Sequence, residues 1–469
     1  MIYSCALPEP LEVALFDHLA RADGQEDLCF AIWHPSRGFS RTTALLHHAV
    51  LPRDGERDVH GNVAFNPRYF ERALGEALNT EGGLAFIHSH PNGIGWQGLS
   101  PDDHRAEEGM AAAVLSATGL PLVGLTLGTG DRTWSARFWQ RQRGRRRYTP
   151  HHSHKVRVVG DRLATSFNPV LAPSPKLGDE ILRTRSAWGP KIQANLARLR
   201  VGVIGLGSVG SIVAEALART GIRDVVLLDF DVLKLLNFDR TLNASRQDAR
   251  LQRPKVSIAA RSFRRSATVR PVRVEAEELS LCEELGFRRA LDCDILFSCV
   301  DRPWPRSVLN FVAYAHLIPV IDGGIHVSRK NNGSMRGAEW KAHIATIGRR
   351  CLECLGQYDP GLVSAEREGH LDDPSYIESL PGEHPLRARE NVFAFSLAAG
   401  SLEVLQMLLM VVGPSGVSNH GAQTYHFVSG SIDLDPSSCD ENCPYPSLQA
   451  LGEVAGHPGT VEVEDVDEG

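Results

Sequence analysis

The sequence predicts an α/β protein built in two parts, each with its own sheet. From Arg200 onward an apolar strand, a glycine-rich turn, a helix and a second strand follow one another, which is the order of a βαβ unit. Residues 1–140 mix short apolar runs with helical stretches, as a compact α/β unit does. Between these parts the composition turns basic and then proline-rich.

The overall composition favours a globular chain without a membrane or nucleic-acid partner. Its 469 residues allow two or three domains. Hydrophobic residues make up 42% of the chain, and the formal net charge is -6. The N-terminus does not have the form of a signal peptide, and the apolar stretch from Leu402 to Val412 is too short to span a bilayer. Nine unevenly placed cysteines fit a reducing compartment, so we expect a cytoplasmic location.

The changes in composition set the expected domain boundaries. We predict an N-terminal α/β domain over 1–140 and a connector over 141–178, where a basic run beginning at Arg141 precedes the proline-rich stretch. A nucleotide-binding domain is expected over 179–445. Residues 446–469 end in acidic residues and are expected to form a mobile tail.

The first candidate site is the string LAFIHSHP, in which His88 and His90 end an apolar strand two positions apart. Alternate residues of a strand face the same side, so both imidazoles can reach one metal ion. After a glycine-rich loop, Ser100 is a plausible helix N-cap and Asp103 lies in the first turn. These two residues alone would also fit a simple capping box.

The full string resembles the JAMM (also called JAB or MPN) metallopeptidase signature, H-x-H followed by S-x-x-D. The resemblance implies a JAMM-type α/β domain that holds a catalytic zinc through His88, His90 and Asp103. It also implies that Ser100 stabilises the oxyanion formed when water attacks an isopeptide or peptide carbonyl. The loop before Ser100 is longer than is usual in the family, which leaves Asp102 as a second choice of ligand. Glu26 is the candidate general base.

The second candidate site is a G-x-G-x-x-G turn made by Gly205, Gly207 and Gly210 between a strand and a helix. Glycines allow phosphates to approach the helix N-terminus, and Asp229 at the end of the next strand can bind a ribose hydroxyl. This pattern predicts a Rossmann-like, doubly wound, mostly parallel sheet. Taken alone, it fits an NAD-dependent dehydrogenase equally well.

A series of polar residues after the turn favours adenylation over hydride transfer. Adenylation needs cations around a triphosphate and a carboxylate for magnesium, whereas hydride transfer has no evident need for them. The series consists of Asp231, Asn237, Arg240, Lys255 and Asp301.

This series resembles the ThiF/MoeB superfamily, which includes the ubiquitin-activating enzymes, over about 180–440. The resemblance implies Mg-ATP as cofactor and the C-terminal carboxylate of a ubiquitin-like protein as substrate. It implies that Asp229 binds the ribose and that Asp301 binds magnesium. It also implies that Arg183 or Arg185 is the arginine that acts across a homodimer. It assigns the phosphates to Asn237, Arg240 and Lys255.

Four cysteines are spaced as the ligands of a structural zinc. Cys351 and Cys354 form C-x-x-C, and Cys439 and Cys443 form C-x-x-x-C. Activating enzymes that serve a conjugating enzyme use a nucleophilic cysteine, but residues 355–390 contain none. Either Cys351 or Cys354 is the nucleophile, or the adenylate is passed on directly, or another nucleophile is used. Residues 390–412 have apolar residues at helical spacing and predict a core or dimer helix.

Both halves of the sequence indicate the same substrate class. The leading hypothesis is a bifunctional enzyme that processes or deconjugates a ubiquitin-like protein and also adenylates its C-terminus, in a bacterial-type conjugation pathway. A second hypothesis is activation of a sulfur-carrier protein for cofactor or cysteine synthesis. A third is a non-catalytic docking module for a ubiquitin-like partner.

Overall fold

The computed structural model describes residues 1–60, 62–142, 144, 147–379 and 390–456. These residues group into two compact units. The N-terminal unit comprises residues up to 174 together with 315–317 and 447–456, and the C-terminal unit comprises 175–314 and 318–446.

The N-terminal unit contains eleven strands and three α-helices. In chain order they are β1 (Ile2–Pro8), α1 (Glu9–Leu19), β2 (Leu28–Arg37), β3 (Arg41–Val50), β4 (Arg57–His60), β5 (Asn62–Phe65), α2 (Pro67–Asn79), β6 (Gly83–His90), α3 (Pro101–Thr118), β7 (Leu122–Gly128), β8 (Thr133–Arg141), β9 (Tyr148–His152), β10 (Lys155–Val159) and β11 (Leu163–Phe167).

Nine of these strands form one mixed sheet in the order β11-β10-β1-β3-β2-β6-β7-β8-β9, and β4 and β5 form a separate hairpin. The side chains of β2 alternate between two cores. Ala31 and Trp33 pack in the core that includes α1, while Phe30 and Ile32 pack in the core that includes α2 and α3. A strand buried on both faces must be apolar at nearly every position, which explains the continuous hydrophobic run in β2.

Helix α3 begins and ends where its sequence places cap residues. Ser100 and Asp103 form a reciprocal capping box at its start, and Pro101 occupies the first turn. Gly119 ends the helix with a φ of 70°, a left-handed conformation that costs glycine little. These caps fix the position of Asp103 relative to the strand that precedes the loop.

The predicted connector at 141–178 is wrong for most of its described length. Residues 148–167 form β9, β10 and β11, and the N-terminal unit extends to 174 rather than ending at 140. The string KVRVV buries Val156 and Val159 in β10, which pairs with β1. The basic residues just before these strands are typical of a solvent-exposed linker, which is why the sequence predicted a connector here. Arg143, Arg145 and Arg146 lie outside the described residues.

The predicted tail at 446–469 also needs correction. Residues 447–456 belong to the N-terminal unit, where a short 3-10 helix spans Gly452–Ala455 and the Arg37 amide donates to the Glu453 carboxylate. A short, glycine-containing segment gives no periodicity from which its docking could have been predicted. Residues 457–469 lie outside the described residues.

The C-terminal unit contains eight strands and ten α-helices within its described residues. In chain order they are α4 (Leu182–Trp188), α5 (Pro190–Leu196), β12 (Arg200–Ile204), α6 (Ser208–Thr220), β13 (Asp224–Leu228), α7 (Arg246–Arg250), α8 (Lys255–Ser266), β14 (Arg273–Glu277), α9 (Glu284–Leu291), β15 (Ile295–Ser298), α10 (Pro303–Ala315), β16 (Val320–Arg329), β17 (Met335–Ala345), α11 (Pro360–Arg367), α12 (Pro374–Ser379), α13 (Phe393–Val412), β18 (Ala422–His426) and β19 (Ser431–Asp435).

The eight strands form one sheet in the order β14-β13-β12-β15-β16-β17-β18-β19. The first five are parallel, as the βαβ pattern predicts, and the last three continue the sheet in antiparallel fashion. Helices cover both faces of β16. Asp322 bonds Arg306 of α10, whereas a side chain at the next position, Gly323, would meet Glu403 of α13.

Helix α13 is the only helix in the described residues that is long and apolar enough to cross a membrane. At 20 residues it is longer than the apolar stretch from Leu402 to Val412 suggested, so length alone does not exclude a span. Half of its apolar window is buried inside the chain, and Glu403 and Gln406 are buried with it. It contacts α6, β16 and β17, which fits the predicted core helix.

A buried ion pair joins α3 to the sheet of the N-terminal unit. Arg137 on β8 bonds both carboxylate oxygens of Glu107, and both residues are almost fully buried. The Trp139 indole nitrogen also donates to Glu107, at 2.5 Å, and Arg137 donates to the Thr126 hydroxyl at 2.7 Å. Such a pair holds elements in register because separating it would leave a buried charge without its partner.

Replacing Arg137 by Met should lower the free energy of unfolding of the N-terminal unit by about 3–5 kcal/mol, because Glu107 would stay buried without its partner. The matched control is Arg105→Met, which removes one end of an exposed pair with Asp102 and should cost at most about 1 kcal/mol. Hydrogen exchange of peptides from β7 and β8 measures the change. Equal protection in the two variants would reject the role given to Arg137.

Candidate functional site

The strand end at β6 brings His88, His90 and Asp103 together. One ligand atom from each lies within 4.8 Å of the others. The Asp103 carboxylate oxygen Oδ2 is 3.7 Å from Nε2 of His88 and 3.6 Å from Nε2 of His90. Two imidazole nitrogens and one carboxylate oxygen are donors that suit zinc.

Burial and charge give the two histidines different proton affinities. Burial first, and then the positive charge of Arg137, lower the pKa of His88 to about 3. The neighbouring Asp103 carboxylate raises the pKa of His90. Burial favours the neutral acid of Asp103, but the interactions with His90 and His88 outweigh it and lower its pKa. A neutral His88 has a free lone pair for a metal ion.

Asp103, and not Asp102, faces the two histidines. Asp102 is exposed and pairs with Arg105 on the outer side of α3. The Ser100 hydroxyl accepts a hydrogen bond from the Asp103 amide at 3.1 Å, while the Ser100 amide donates to the Asp103 carboxylate at 2.9 Å. The capping box and the metal-like cluster therefore share one aspartate, and the two interpretations of this pair are compatible.

Glu26 lies just before β2 and is half-buried beside the cluster. Partial burial is the largest cause of its raised pKa, and the charges of His90 and Asp103 act on the same carboxyl group. The next residue, Asp27, is fully buried and was missed by the sequence analysis. Its amide donates to the Ser89 hydroxyl at 3.0 Å, which ties the Glu26 segment to the strand that carries the histidines.

The glycine turn after β12 is packed against the loop after β15. Gly205 has a φ of +85°, and a side chain there would meet the carbonyl oxygen of Cys299. A side chain on Gly210 would overlap the carbonyl oxygen of Gly205, whereas one on Gly207 would meet no atom of the described chain within 4 Å. Close backbone approach explains the first and third glycines of the motif.

Asp229, Asp231 and Lys255 form a connected cluster beside this turn. Asp229 accepts from the Leu206 amide at 2.6 Å and from the Asp231 amide at 2.8 Å. The Lys255 ammonium lies 2.6 Å from Asp231 and 4.0 Å from Asp229. Burial raises the pKa of Asp229, and the Lys255 charge partly offsets that effect. Asp229 thus braces the turn, and its carboxylate has further lone pairs for a ribose hydroxyl.

Asp301 follows β15, two residues after the carbonyl that touches Gly205, and it is exposed. Asn237 and Arg240 make local contacts instead of joining the cluster. The Asn237 side chain accepts from the Lys234 amide at 3.1 Å, and Arg240 donates to the Leu236 carbonyl at 2.7 Å. The structure therefore leaves their phosphate-binding role as a prediction.

Arg183 and Arg185 lie on α4, which precedes the sheet. Arg183 is exposed, and Arg185 donates to the carbonyl of Leu177 at 3.4 Å. Within the described part of the chain, neither forms an ion pair with Asp229 or Asp231, and their role across a homodimer stays a prediction.

Four cysteine sulfurs converge as their spacing predicts. The sulfurs of Cys351, Cys354, Cys439 and Cys443 lie within 4.8 Å of one another, and all are free thiols. The Cys351 amide donates to the Cys439 sulfur at 3.1 Å, and the Cys354 amide donates to the Cys351 sulfur at 3.3 Å. Burial and the neighbouring thiols raise the pKa of Cys443 to about 12. A bound dication would reverse that effect by stabilising thiolates.

Comparison with known proteins places the chain in a family. Residues 181–431 match the model of the ThiF family, a span of more than half of the 469 residues. The chain belongs to the ThiF family. The match includes the glycine turn and the acid–lysine cluster, and it does not reach the site formed by His88, His90 and Asp103.

Individual relatives match part of the chain. The chain is 30% identical over 135 residues to molybdopterin-synthase adenylyltransferase of Escherichia coli (strain K12), which is 28% of this chain and 51% of the relative. It is 30% identical over 292 residues to ubiquitin-like modifier-activating enzyme 5 of Drosophila virilis, which is 55% of this chain and 64% of the relative. It is 28% identical over 135 residues to the sulfur carrier protein ThiS adenylyltransferase of Bacillus subtilis (strain 168), which is 29% of this chain and 40% of the relative.

The chain thus spans between 40% and 64% of the length of these relatives. Among solved structures it resembles that of E. coli MccB with ATP, with a TM-score of 0.44 and 16% identity over 57% of this chain and 74% of that one. That similarity is too distant to carry a functional argument.

Replacing Gly210 by Ala should unfold the glycine turn locally and destabilise the C-terminal unit by about 3 kcal/mol or more, because the new methyl group would meet backbone rather than a movable side chain. Gly207→Ala is the matched control and should cost no more than about 1 kcal/mol, since its methyl group meets no described atom. Thermal unfolding measures both changes. The packing argument fails if the two variants melt at the same temperature.

Proposed function

We propose that the chain is a bifunctional enzyme for a ubiquitin-like protein. Its C-terminal unit adenylates the C-terminal carboxylate of that protein with ATP, and its N-terminal unit is a JAMM-type zinc peptidase that processes or deconjugates it. The observation that carries the first activity is the family match over 181–431 together with the acid–lysine cluster at the glycine turn. The second activity rests on the geometry of His88, His90 and Asp103.

The proposed adenylation uses groups already arranged at the carboxyl ends of β12, β13 and β15. The glycine turn admits phosphates at the N-terminus of α6, and Asp229 offers oxygen atoms to the ribose. Lys255 would exchange its contact with Asp231 for a phosphate oxygen. Asp301 would hold magnesium, which when bound would supply charge neutralisation during transfer. The carrier carboxylate attacks the α-phosphate and pyrophosphate leaves.

Two of the named relatives support the substrate class, since one is a ubiquitin-like modifier-activating enzyme and another is a sulfur carrier protein adenylyltransferase. We therefore keep a sulfur-carrier protein as the second candidate. One structural observation favours it. Cys351 and Cys354 lie in the four-sulfur cluster, and residues 355–379 contain no cysteine that could receive the carrier as a thioester.

Pyrophosphate exchange into ATP should depend on a ubiquitin-like or sulfur-carrier protein that ends in an exposed glycine carboxylate. Asp301→Ala should reduce this exchange by about 100-fold or more, because magnesium would lose a protein ligand at the transferring phosphate. Glu71→Ala removes an exposed acid of the N-terminal unit and should leave exchange unchanged. Absence of exchange with every such carrier would reject the adenylation proposal, and full exchange by Asp301→Ala would reject the role of Asp301.

The peptidase proposal passes a test of its donor set. His88 is neutral because of its burial, and both Nε2 atoms face the same carboxylate oxygen. Zinc bound there would supply Lewis acidity and activate water. Glu26 is placed to accept the proton of that water, and its raised pKa makes it a better base. Ser100 offers a hydroxyl near the cluster, although the same hydroxyl already caps α3.

Cleavage of a C-terminally extended ubiquitin-like protein should fall by about 10²–10⁴-fold in Glu26→Gln, since the general base would be lost while the side-chain shape is kept. His88→Ala should lose cleavage together with one of the two zinc ions that the two clusters would hold. Rates come from electrophoresis of the products and zinc content from elemental analysis. Glu71→Gln is the control for a neutralised surface acid. Normal cleavage by Glu26→Gln would remove Glu26 from the mechanism.

We further propose a homodimer, in which Arg183 or Arg185 reaches the partner's nucleotide, and a conjugating enzyme as a possible acceptor of the activated carrier. If either unit proved inactive, the remaining hypothesis is that it serves as a docking module for the same carrier. The tetrathiolate cluster is proposed to hold a structural zinc, because four converging sulfurs with amide donors form a closed site.

A further inference from the structure

The long loop between β6 and α3 returns one side chain to the histidine cluster. Gln97 lies in this loop, and its Oε1 is 3.2 Å from Nδ1 of His90. The loop is longer than is usual in the JAMM family, and the signature alone assigns no function to the additional residues. In the structure, this loop carries a polar group to Nδ1 of His90.

The orientation of the Gln97 amide follows from its two other neighbours. Its Nε2 lies 3.1 Å from the carbonyl oxygen of Ile94 and 2.8 Å from that of Gly95. Carbonyl oxygens only accept hydrogen bonds, so both amide hydrogens point to them. Oε1 must then be the atom that faces His90, and it too can only accept. His90 therefore donates from Nδ1.

A proton on Nδ1 leaves the lone pair of a neutral imidazole on Nε2. Nε2 is the atom of His90 that faces the cluster, 3.6 Å from Asp103. The hydrogen bond from the back of the ring thus selects the tautomer that can bind a metal ion at the front. It also fixes the rotation of the ring about its terminal torsion.

Gln97 is itself held in place by the surrounding turns. Its amide nitrogen donates to the Ser135 hydroxyl at 2.7 Å. A side chain on Gly93 would lie 3.0 Å from Oε1, so glycine at this position makes room for the Gln97 amide. The group is therefore preorganised before any metal ion binds.

The second histidine has no equivalent support. Nδ1 of His88 is buried and has no hydrogen-bond partner within the described residues, and Thr126 approaches the other nitrogen at 3.4 Å. Among the described residues, Gln97 is thus the side chain that orients an imidazole of this cluster through its Nδ1 atom.

We propose that Gln97 is a positioning residue for the metal site, which orients His90 and fixes its Nδ1-protonated tautomer. The inference rests on the proposed zinc site. Groups that orient a metal-ligating histidine typically change metal affinity by about 10–100-fold when they are removed. The expected effect of losing Gln97 is therefore weaker metal binding with the same number of sites.

The test measures binding of Co²⁺ to the full-length chain by competition with a chromogenic chelator. Cobalt bound by thiolates gives an intense charge-transfer band that nitrogen and oxygen ligands lack, so the cysteine cluster is counted separately. Gln97→Met keeps the approximate shape but lacks the amide acceptor, and it should raise the Kd of the thiolate-free site by about 10–100-fold. Gln97→Glu keeps an acceptor for His90 and should recover most of the affinity. Gln142→Met, at an exposed glutamine of the same unit, should bind as the wild type does.

A second readout follows the tautomer. Nitrogen NMR of His90 in the zinc-free chain, at a pH where the ring is neutral, should show a protonated Nδ1 in the wild type and in Gln97→Glu, and loss of that single tautomer in Gln97→Met. Unchanged affinity and tautomer in Gln97→Met would overturn the inference while the metal site stands. If the wild type and His88→Ala bind the same amount of thiolate-free cobalt, the metal site itself is refuted, and the role of Gln97 falls with it.

Discussion

The end of a buried strand is the constraint on which both candidate sites depend. A strand packed on both faces has apolar side chains along its length, and polar groups become possible only where it leaves the sheet. In the N-terminal unit that point is His88 to His90 at the end of β6, where the fully buried imidazole and the half-buried one still share a face. In the C-terminal unit the corresponding point is the sheet edge at which β12, β13 and β15 end. Gly205, Asp229 and Asp301 follow these strand ends.

Burial gives the charged groups at these edges their chemistry. His88 is kept neutral by its burial, and the positive charge of Arg137 further opposes its protonation. In the other unit, burial favours the protonated form of Asp229, while Lys255 and two backbone amides favour the ionised form. Each site therefore places a desolvated titratable group among charged neighbours, an arrangement that is common at functional sites.

The two units differ in what supports their function. The family match lies in the C-terminal unit. There the geometry explains the glycines of the G-x-G-x-x-G turn, because Gly210 lies close to the backbone of Gly205. The N-terminal unit has only its geometry: three ligand atoms in a cluster, a half-buried glutamate beside them, and a glutamine that orients one ring. A peptidase and an activating domain that act on one carrier would exert opposite effects on its conjugation, so a single chain could set the balance.

The sequence by itself determined the features that depend on neighbours along the chain. Local spacing was enough for the β6 histidines, the capping box at Ser100, the glycine turn and its βαβ unit, because each needs only a strand period or a helix turn. It also predicted that the four cysteines would converge. Only the tertiary structure decided that 148–167 belong to a sheet, that Asp103 rather than Asp102 faces the histidines, and that Gln97 returns to His90. These depend on strand pairing and loop closure between distant residues, for which the sequence carries no periodic signal.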